Sequence, residues 1–159
     1  MQPDEDMKFG PNGTANRWDI VEALYQANGS PKSKLTLSDL PFNDVSSRTK
    51  YADALCWAYE NGIAAGKSDG AFYGAAKVTR QEFAAMLFRC AKLVGKSGAS
   101  GSLSGYPDAA SVAGWAAESM RWAVGAELIK GNSAGNLAPA ADVTRAETAQ
   151  ILMRFMEMR

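Results

Sequence analysis

Residues 50–94 read KYADALCWAYENGIAAGKSDGAFYGAAKVTRQEFAAMLFRCAKLV, and residues 115–159 read WAAESMRWAVGAELIKGNSAGNLAPAADVTRAETAQILMRFMEMR. Laid over each other without a gap, at an offset of 65, they share 15 identities in 45 positions. Trp57-Ala58 falls on Trp122-Ala123, and Gly66, Ser68 and Gly70 fall on Gly131, Ser133 and Gly135. Val78-Thr79-Arg80 and Glu82 fall on Val143-Thr144-Arg145 and Glu147, and Leu87 and Arg89 on Leu152 and Arg154. Self-similarity at a fixed period marks a repeat architecture, whose units bury their apolar faces against one another. Upstream, Phe42-Asn43-Asp44-Val45 matches Tyr106-Pro107-Asp108-Ala109 at an offset of 64.

The second half of a third copy precedes these two. Phe9, Phe72 and Leu137 each lie eight residues before an arginine: Arg17, Arg80 and Arg145. The acid two residues further on is Asp19, Glu82 or Glu147, and an apolar stretch follows each. Only eight residues precede Phe9, so the chain reads as beginning inside a repeat.

Each of these half-repeats predicts one helix. Thr79-Arg80-Gln81-Glu82 and Thr144-Arg145-Ala146-Glu147 have the form of a capping box, in which the hydroxyl takes the N3 amide and the Glu reaches back to the Thr amide. Asn16 and Asp19 form a shorter version. Beyond the caps, Phe83, Met86, Leu87, Cys90 and Val94 recur at helical spacing, as do Ile151, Leu152 and Phe155, and Ile20, Leu24 and Ala27. The earlier half-repeat predicts a second helix, with the stripe Tyr51, Ala54, Leu55 and Ala58 and a stop at Asn61-Gly62. Its counterpart carries Ala116, Ser119, Met120 and Ala123. There Ala126-Glu127 replaces Asn-Gly, so that helix end is expected to differ. Residues 66–78 and 131–143 read as turns with short extended pieces. Residues 32–41 and 96–105 read as linkers, and 1–159 as one module with copies at 9–31, 42–95 and 106–159.

Composition sets outer limits. With 159 residues, 47% apolar and 21% charged, the chain is long enough for one domain with a real core. Lys plus Arg and Asp plus Glu number 17 each, which argues against non-specific nucleic-acid binding. Histidine is absent, which removes Ser–His and Cys–His catalysis and His-ligated metals. No apolar run is long enough to cross a bilayer, and the first 14 residues do not have the form of a signal peptide. Cys56 and Cys90 read as buried free thiols, with a Cys56–Cys90 disulfide as the alternative. No segment has the spacing of a Ca²⁺ loop, so Asp44, Asp69, Asp108 and Asp142 read as turn and cap residues. No metal or cofactor is expected.

The string F-x-D-V, then YADALCWAYENGIAAGKSDGAF, then VTRQEFAAML resembles an S-layer homology repeat. Residues 106–159 resemble it with departures at Glu127 and Leu137, and residues 9–31 resemble its C-terminal half. The resemblance implies a mainly α fold. In it, a pseudo-threefold helical bundle or prism carries short extended loops, with the first repeat incomplete. It also implies a bacterial cell-wall location outside the cell, and non-covalent anchoring to a secondary cell-wall polysaccharide. That polymer is often pyruvylated and is held in grooves between neighbouring lobes. Arg80, Arg145 and, with weaker flanking matches, Arg17 would occupy the ligand-binding arginine position.

The chemistry agrees with that implication. A pyruvate ketal adds a carboxylate to a sugar. A helix N-terminus offers free amides, and an arginine just inside the cap adds a charged fork. The competing reading pairs these arginines with neighbouring carboxylates, while Glu82, Glu147 and Asp19 serve as caps. Trp57 and Trp122, on the flank of their stripes, either stack on a sugar ring or seal the seam between repeats. Trp115 extends the same flank. The anchor is expected to have no enzymatic activity. The competing class is a structural or protein-interaction module that has lost the sugar site; a glycan-active enzyme using two carboxylates is disfavoured, because each acidic position recurs with a cap or turn role. An incomplete first repeat is expected to leave the Ile20–Leu24 helix exposed. The chain would then self-associate, as a C2 dimer, or rearrange its N-terminus to cover it.

Overall fold

The computed structural model describes residues 13–46, 49 and 51–158. Phe9 and the segment offered above as N-terminal cover lie outside them. The described chain holds five α-helices: α1 (Arg17–Ala27), α2 (Ala52–Glu60), α3 (Arg80–Val94), α4 (Ala117–Gly125) and α5 (Arg145–Glu157). Single 3-10 turns lie at Leu37–Asp39, Ala109–Ser111 and Gly114–Ala116. The fold is mainly α, and extended backbone pairs only as isolated bridges among the described residues.

Three helix starts share one device. Asn16, Thr79 and Thr144 each accept the backbone amide three residues on, from Asp19, Glu82 and Glu147. Each of those acids accepts the cap residue's own amide in return. Two otherwise orphaned donors are satisfied per helix start, worth about 0.5–2 kcal/mol each time the cap is kept.

The segments just before these caps are laced together. The Ala15 amide donates to Val143 O (3.1 Å), the Val143 amide to Val78 O (2.8 Å) and the Val78 amide to Ala15 O (3.3 Å), so the cycle closes on itself. A second cycle-like set surrounds it: Arg17 N to Ala76 O, Arg80 N to Ala141 O and Arg145 N to Gly13 O, at 2.8–3.0 Å. The donors are the residues two before, or at, the three repeat-equivalent arginines. Sequence repetition has become spatial repetition. Leu24, Leu87 and Leu152 lie in one hydrophobic core, and α1 lies against both α3 and α5.

Two expectations need correction. The end of α4 does not differ from that of α2. Gly62 (φ 70°) and Glu127 (φ 60°) both adopt the left-handed conformation. Ile63 and Ala64 donate to Ala58 O just as Leu128 and Ile129 donate to Ala123 O. The paired amides hold the turn, and Glu127 follows at a steric cost that Gly62 avoids.

The uncovered helix is also not α1. Ile20 and Leu24 are fully buried. α1 packs against α2, and α3 against α4, so these two capped helices are roofed by the helix of the next copy. The two roofs seal through aromatic pairs, Tyr25 with Trp57 (5.8 Å between ring centroids) and Phe88 with Trp122 (5.3 Å). Among the described residues no helix roofs α5. Its Met153 and Met156 are each 57% exposed, while their repeat equivalents on α3, Phe88 and Ala91, are 8% and 0% exposed. A dimer across an open α1 therefore loses its premise.

Candidate functional site

Arg17 and Arg80 occupy the first turn of α1 and α3, and both reach into the loop of the following copy. Arg17 Nε donates to Phe72 O (2.8 Å) and Nη2 to Ala65 O (2.7 Å). Arg80 Nε donates to Leu137 O (2.8 Å) and Nη2 to Lys130 O (3.1 Å), the same two positions one repeat later. The guanidinium of Arg17 also lies 4.6 Å from the Phe72 ring centroid. Burial lowers the pKa of Arg17, and the nearby Glu82 carboxylate opposes that shift.

The capping acids face these arginines. Arg80 Nη1 pairs with Glu147, whose other oxygen accepts from the α5 cap. Arg145 Nε lies 3.9 Å from Asp19 Oδ2, is shut off from solvent and has no hydrogen-bond partner. Each arginine thus faces the acid of another copy, and among the described residues Arg17 and Arg80 also clamp loop carbonyls.

What they clamp is a loop pinned by a carboxylate. Asp44 accepts from the Phe72 and Tyr73 amides (2.8 and 2.9 Å), and Asp108 from those of Leu137 and Ala138 (2.9 and 2.8 Å). The Leu137 amide is the main reason the Asp108 carboxyl lies below its usual range. Tyr73 and Ala138 both sit at positive φ (58° and 50°), a strained shape these bonds maintain. Asp69 accepts from the Ala71 amide and from the Tyr73 hydroxyl, the latter chiefly lowering its pKa. Asp142 lies 3.9 Å from Lys77. Among the described residues no cluster of acids, cysteines or histidines has the arrangement of a metal site.

Beside each clamp runs a groove. The first, about 360 Å³, lies between Arg17, the 63–67 loop and the Glu82, Met86 and Arg89 face of α3. The second, about 380 Å³, lies between Arg80, the 128–132 loop and the Glu147, Ile151 and Arg154 face of α5. Ten of the eleven residues lining the first have their repeat equivalents lining the second. The eleventh is Trp115, 62% exposed, which reaches the first groove from the turn before α4. Arg145 lines neither.

Arg89 and Arg154 are identities between the two full copies to which the sequence alone assigns no role. Arg89 Nη1 donates to Ile63 O at 3.3 Å. Among the described residues neither Arg89 nor Arg154 has a carboxylate partner. Lys67, also in the first groove, faces Glu82 at 3.9 Å. The only signal that separates these two arginines from other surface cations is their recurrence nine residues after Arg80 and Arg145; the first copy has Gln26 there.

Trp57 and Trp122 are 3% and 1% exposed and line neither of these two grooves, although Trp57 borders a separate concavity with Lys32, Lys34 and Glu60. Trp122 also touches Phe155 (6.3 Å) and donates Nε1–H to Lys96 O (3.0 Å). Both rings pack in the seams between copies, against Tyr25 and Phe88. Cys56 and Cys90 are free and buried, and burial pushes both thiol pKa values up.

No helix among the described residues is long and apolar enough to cross a membrane. The S-layer homology domain family matches residues 41–84 and 105–149. Over 160 aligned positions the chain is 36% identical to the surface-layer 125 kDa protein of Lysinibacillus sphaericus, covering 99% of this chain and 13% of that protein. It is 29% identical over 150 positions to an endoglucanase of a Bacillus species (strain KSM-635), covering 93% of this chain and 15% of that enzyme. The chain thus spans about one seventh of the length of these curated relatives. With two family matches over more than half its length, and the repeat visible in both sequence and hydrogen bonding, the chain belongs to the S-layer homology domain family.

Proposed function

We propose that this chain is a non-covalent anchor that holds a longer protein at the bacterial cell surface by binding a secondary cell-wall polysaccharide, with acidic, pyruvylated units in its grooves. The observation that carries the reading is the pair of grooves. Residues from equivalent repeat positions build the same concavity twice, each with a clamped arginine at one end and a second arginine along the capped helix. A repeating polymer can present like units to both, and two linked sites raise avidity beyond either alone. We place Arg17 and Arg80 at these two sites, and Arg145 at the equivalent position of the third copy. The closed cycle of amides at Ala15, Val78 and Val143 marks, in this reading, a pseudo-threefold axis of the prism. The copies at 9–31, 42–95 and 106–159 are its three parts, joined by the linkers 32–41 and 96–105.

A catalytic reading fits less well. A glycosidase needs an acid kept protonated near neutral pH by an apolar site. Here Asp44, Asp108, Glu82 and Glu147 are engaged by backbone amides, and those amides hold the Asp108 carboxyl below its usual range, the opposite of what a general acid needs.

The test is co-sedimentation with purified cell-wall sacculi before and after extraction of the secondary polysaccharide. Binding lost on extraction is the expected outcome. Binding unchanged by extraction overturns the reading in favour of a protein-interaction module. Release of sugar from labelled glycan would overturn it in favour of an enzyme.

A further inference from the structure

The first-turn arginines are largely occupied. Arg17 is buried, with two of its nitrogens on carbonyls, and Arg80 has two nitrogens on carbonyls and a third on Glu147. An anion entering either groove meets a different cation first. We infer that Arg89 is the residue that selects a carboxylate-bearing sugar in the first groove, with Trp115 as the platform for its ring, and that Arg154 plays the same part in the second groove without an aromatic partner. This rests on the anchoring function proposed above.

Arg89 has one nitrogen on Ile63 O, which orients the guanidinium while leaving its other donors open to the groove. A planar fork with free donors matches a carboxylate in two parallel hydrogen bonds, and such charge-assisted bonds are about twice as strong as neutral ones. Lys67 is the alternative cation, but it faces Glu82 at 3.9 Å and, as an ammonium, lacks the planar fork that matches a carboxylate. Trp115 is the aromatic that borders the groove with its ring accessible. Indole faces are apolar and large enough to cover one side of a pyranose. Division of labour follows: Arg89 reads the charge, Trp115 reads the ring, and Arg17 positions the loop that forms the opposite wall.

The carboxylate has two chemical sources in a cell-wall polymer, a pyruvate ketal or a uronic acid. The experiment therefore uses calorimetry with three methyl glycosides: one carrying a 4,6-pyruvate ketal, the corresponding uronate, and the neutral parent. Extracted polysaccharide serves as a fourth probe. The full chain should prefer one or both acidic sugars over the neutral one, and which of them binds identifies the source. Arg89→Gln should weaken acidic binding in the first groove at least tenfold and abolish the acidic preference there. Arg89→Lys, which keeps the charge and loses the fork, should fall between. Trp115→Ala should weaken acidic and neutral sugars by the same factor. Arg154→Gln should remove the weaker of two binding events and leave the stronger. Circular dichroism confirms the fold of each variant. An Arg89→Gln chain that keeps its acidic preference, while the unaltered chain binds the polymer, overturns this inference and leaves the anchoring function standing. Failure of the unaltered chain to bind the polymer overturns both.

Discussion

α3 and α5 start from the same residues and end in different surroundings. Both open with Thr-Arg-x-Glu in a capping box, and both carry an arginine nine residues further along the side facing a groove. α3 then runs beneath α4, with Phe88 against Trp122, while α5 leaves Met153 and Met156 in solvent. The arginine that starts α3 clamps two carbonyls of the next loop, while the one that starts α5 has a shut-off Nε without a partner. The cap and the groove face are therefore local properties, written in about a dozen residues. The roof and the clamp come from the following copy. A repeat of this kind is completed by its successor.

That division explains what could be read in advance. The helix starts were legible because a capping box needs only residues three apart, and the stripes because one helix face repeats every three to four residues. The partner of each stripe was not legible. Periodicity says that the Ile20–Leu24 face is buried without saying which helix buries it. The natural assumption of a roof from the same copy left the wrong helix bare. The aromatics illustrate the same limit. Trp57, Trp122 and Trp115 share a flank by spacing, yet two are buried in roofs and one is exposed beside the Arg17 groove. Arg89 and Arg154 were visible as identities, but nothing around them in the chain distinguishes a groove cation from a solvated one. The end of α4 was misjudged because its conformation is set by amides converging on Ala123 O, not by the residue at 127.

The largest expected effect contrasts the two helices directly. Phe88→Ala empties a site beneath Trp122 and should cost about 3–5 kcal/mol, the range for a large aromatic removed from a core. Met153→Ala, at the equivalent exposed position, should stay within about 0.5 kcal/mol. Urea denaturation of both variants measures the difference. Equal losses would show that α5 is covered in solution. Light scattering at micromolar concentration then reads whether a second copy supplies that cover, as a doubled mass that Met153→Gln with Met156→Gln returns to the single-chain value.

A smaller contrast lies in the clamps. Arg80→Ala removes two carbonyl contacts and leaves Glu147 without its partner. Hydrogen bonds to a charged group carry about 1.5–3 kcal/mol. The partial exposure of Glu147 screens the pair, which puts the expected loss near the lower end, about 1.5 kcal/mol. Arg145→Ala removes a side chain whose Nε has no hydrogen-bond partner, so its loss should be less than half as large. Thermal unfolding of the two variants ranks them. A larger loss at Arg145 would mean that it has a clamp of its own, and that the third site is as complete as the other two.

The smallest effect sharpens the comparison at the roofs rather than beneath them. α2 and α4 stop with the same hydrogen bonds and the same left-handed residue, but one uses Gly62 and the other Glu127. The Glu127 side chain is exposed, so its replacement removes no packing. A residue with a Cβ costs roughly 1–2 kcal/mol in this conformation, against which glycine loses about 0.5–1 kcal/mol of extra chain entropy on folding. Glu127→Gly should therefore stabilise the chain by about 0.5–1 kcal/mol, and Gly62→Ala should destabilise it by a similar amount. The double variant should return close to the starting stability, because the two turns sit on different roofs and share no contact. A Glu127→Gly chain that is less stable than the original would mean that the carboxylate has a partner in solution. The ends of α2 and α4 would then be alike in shape but held by different forces.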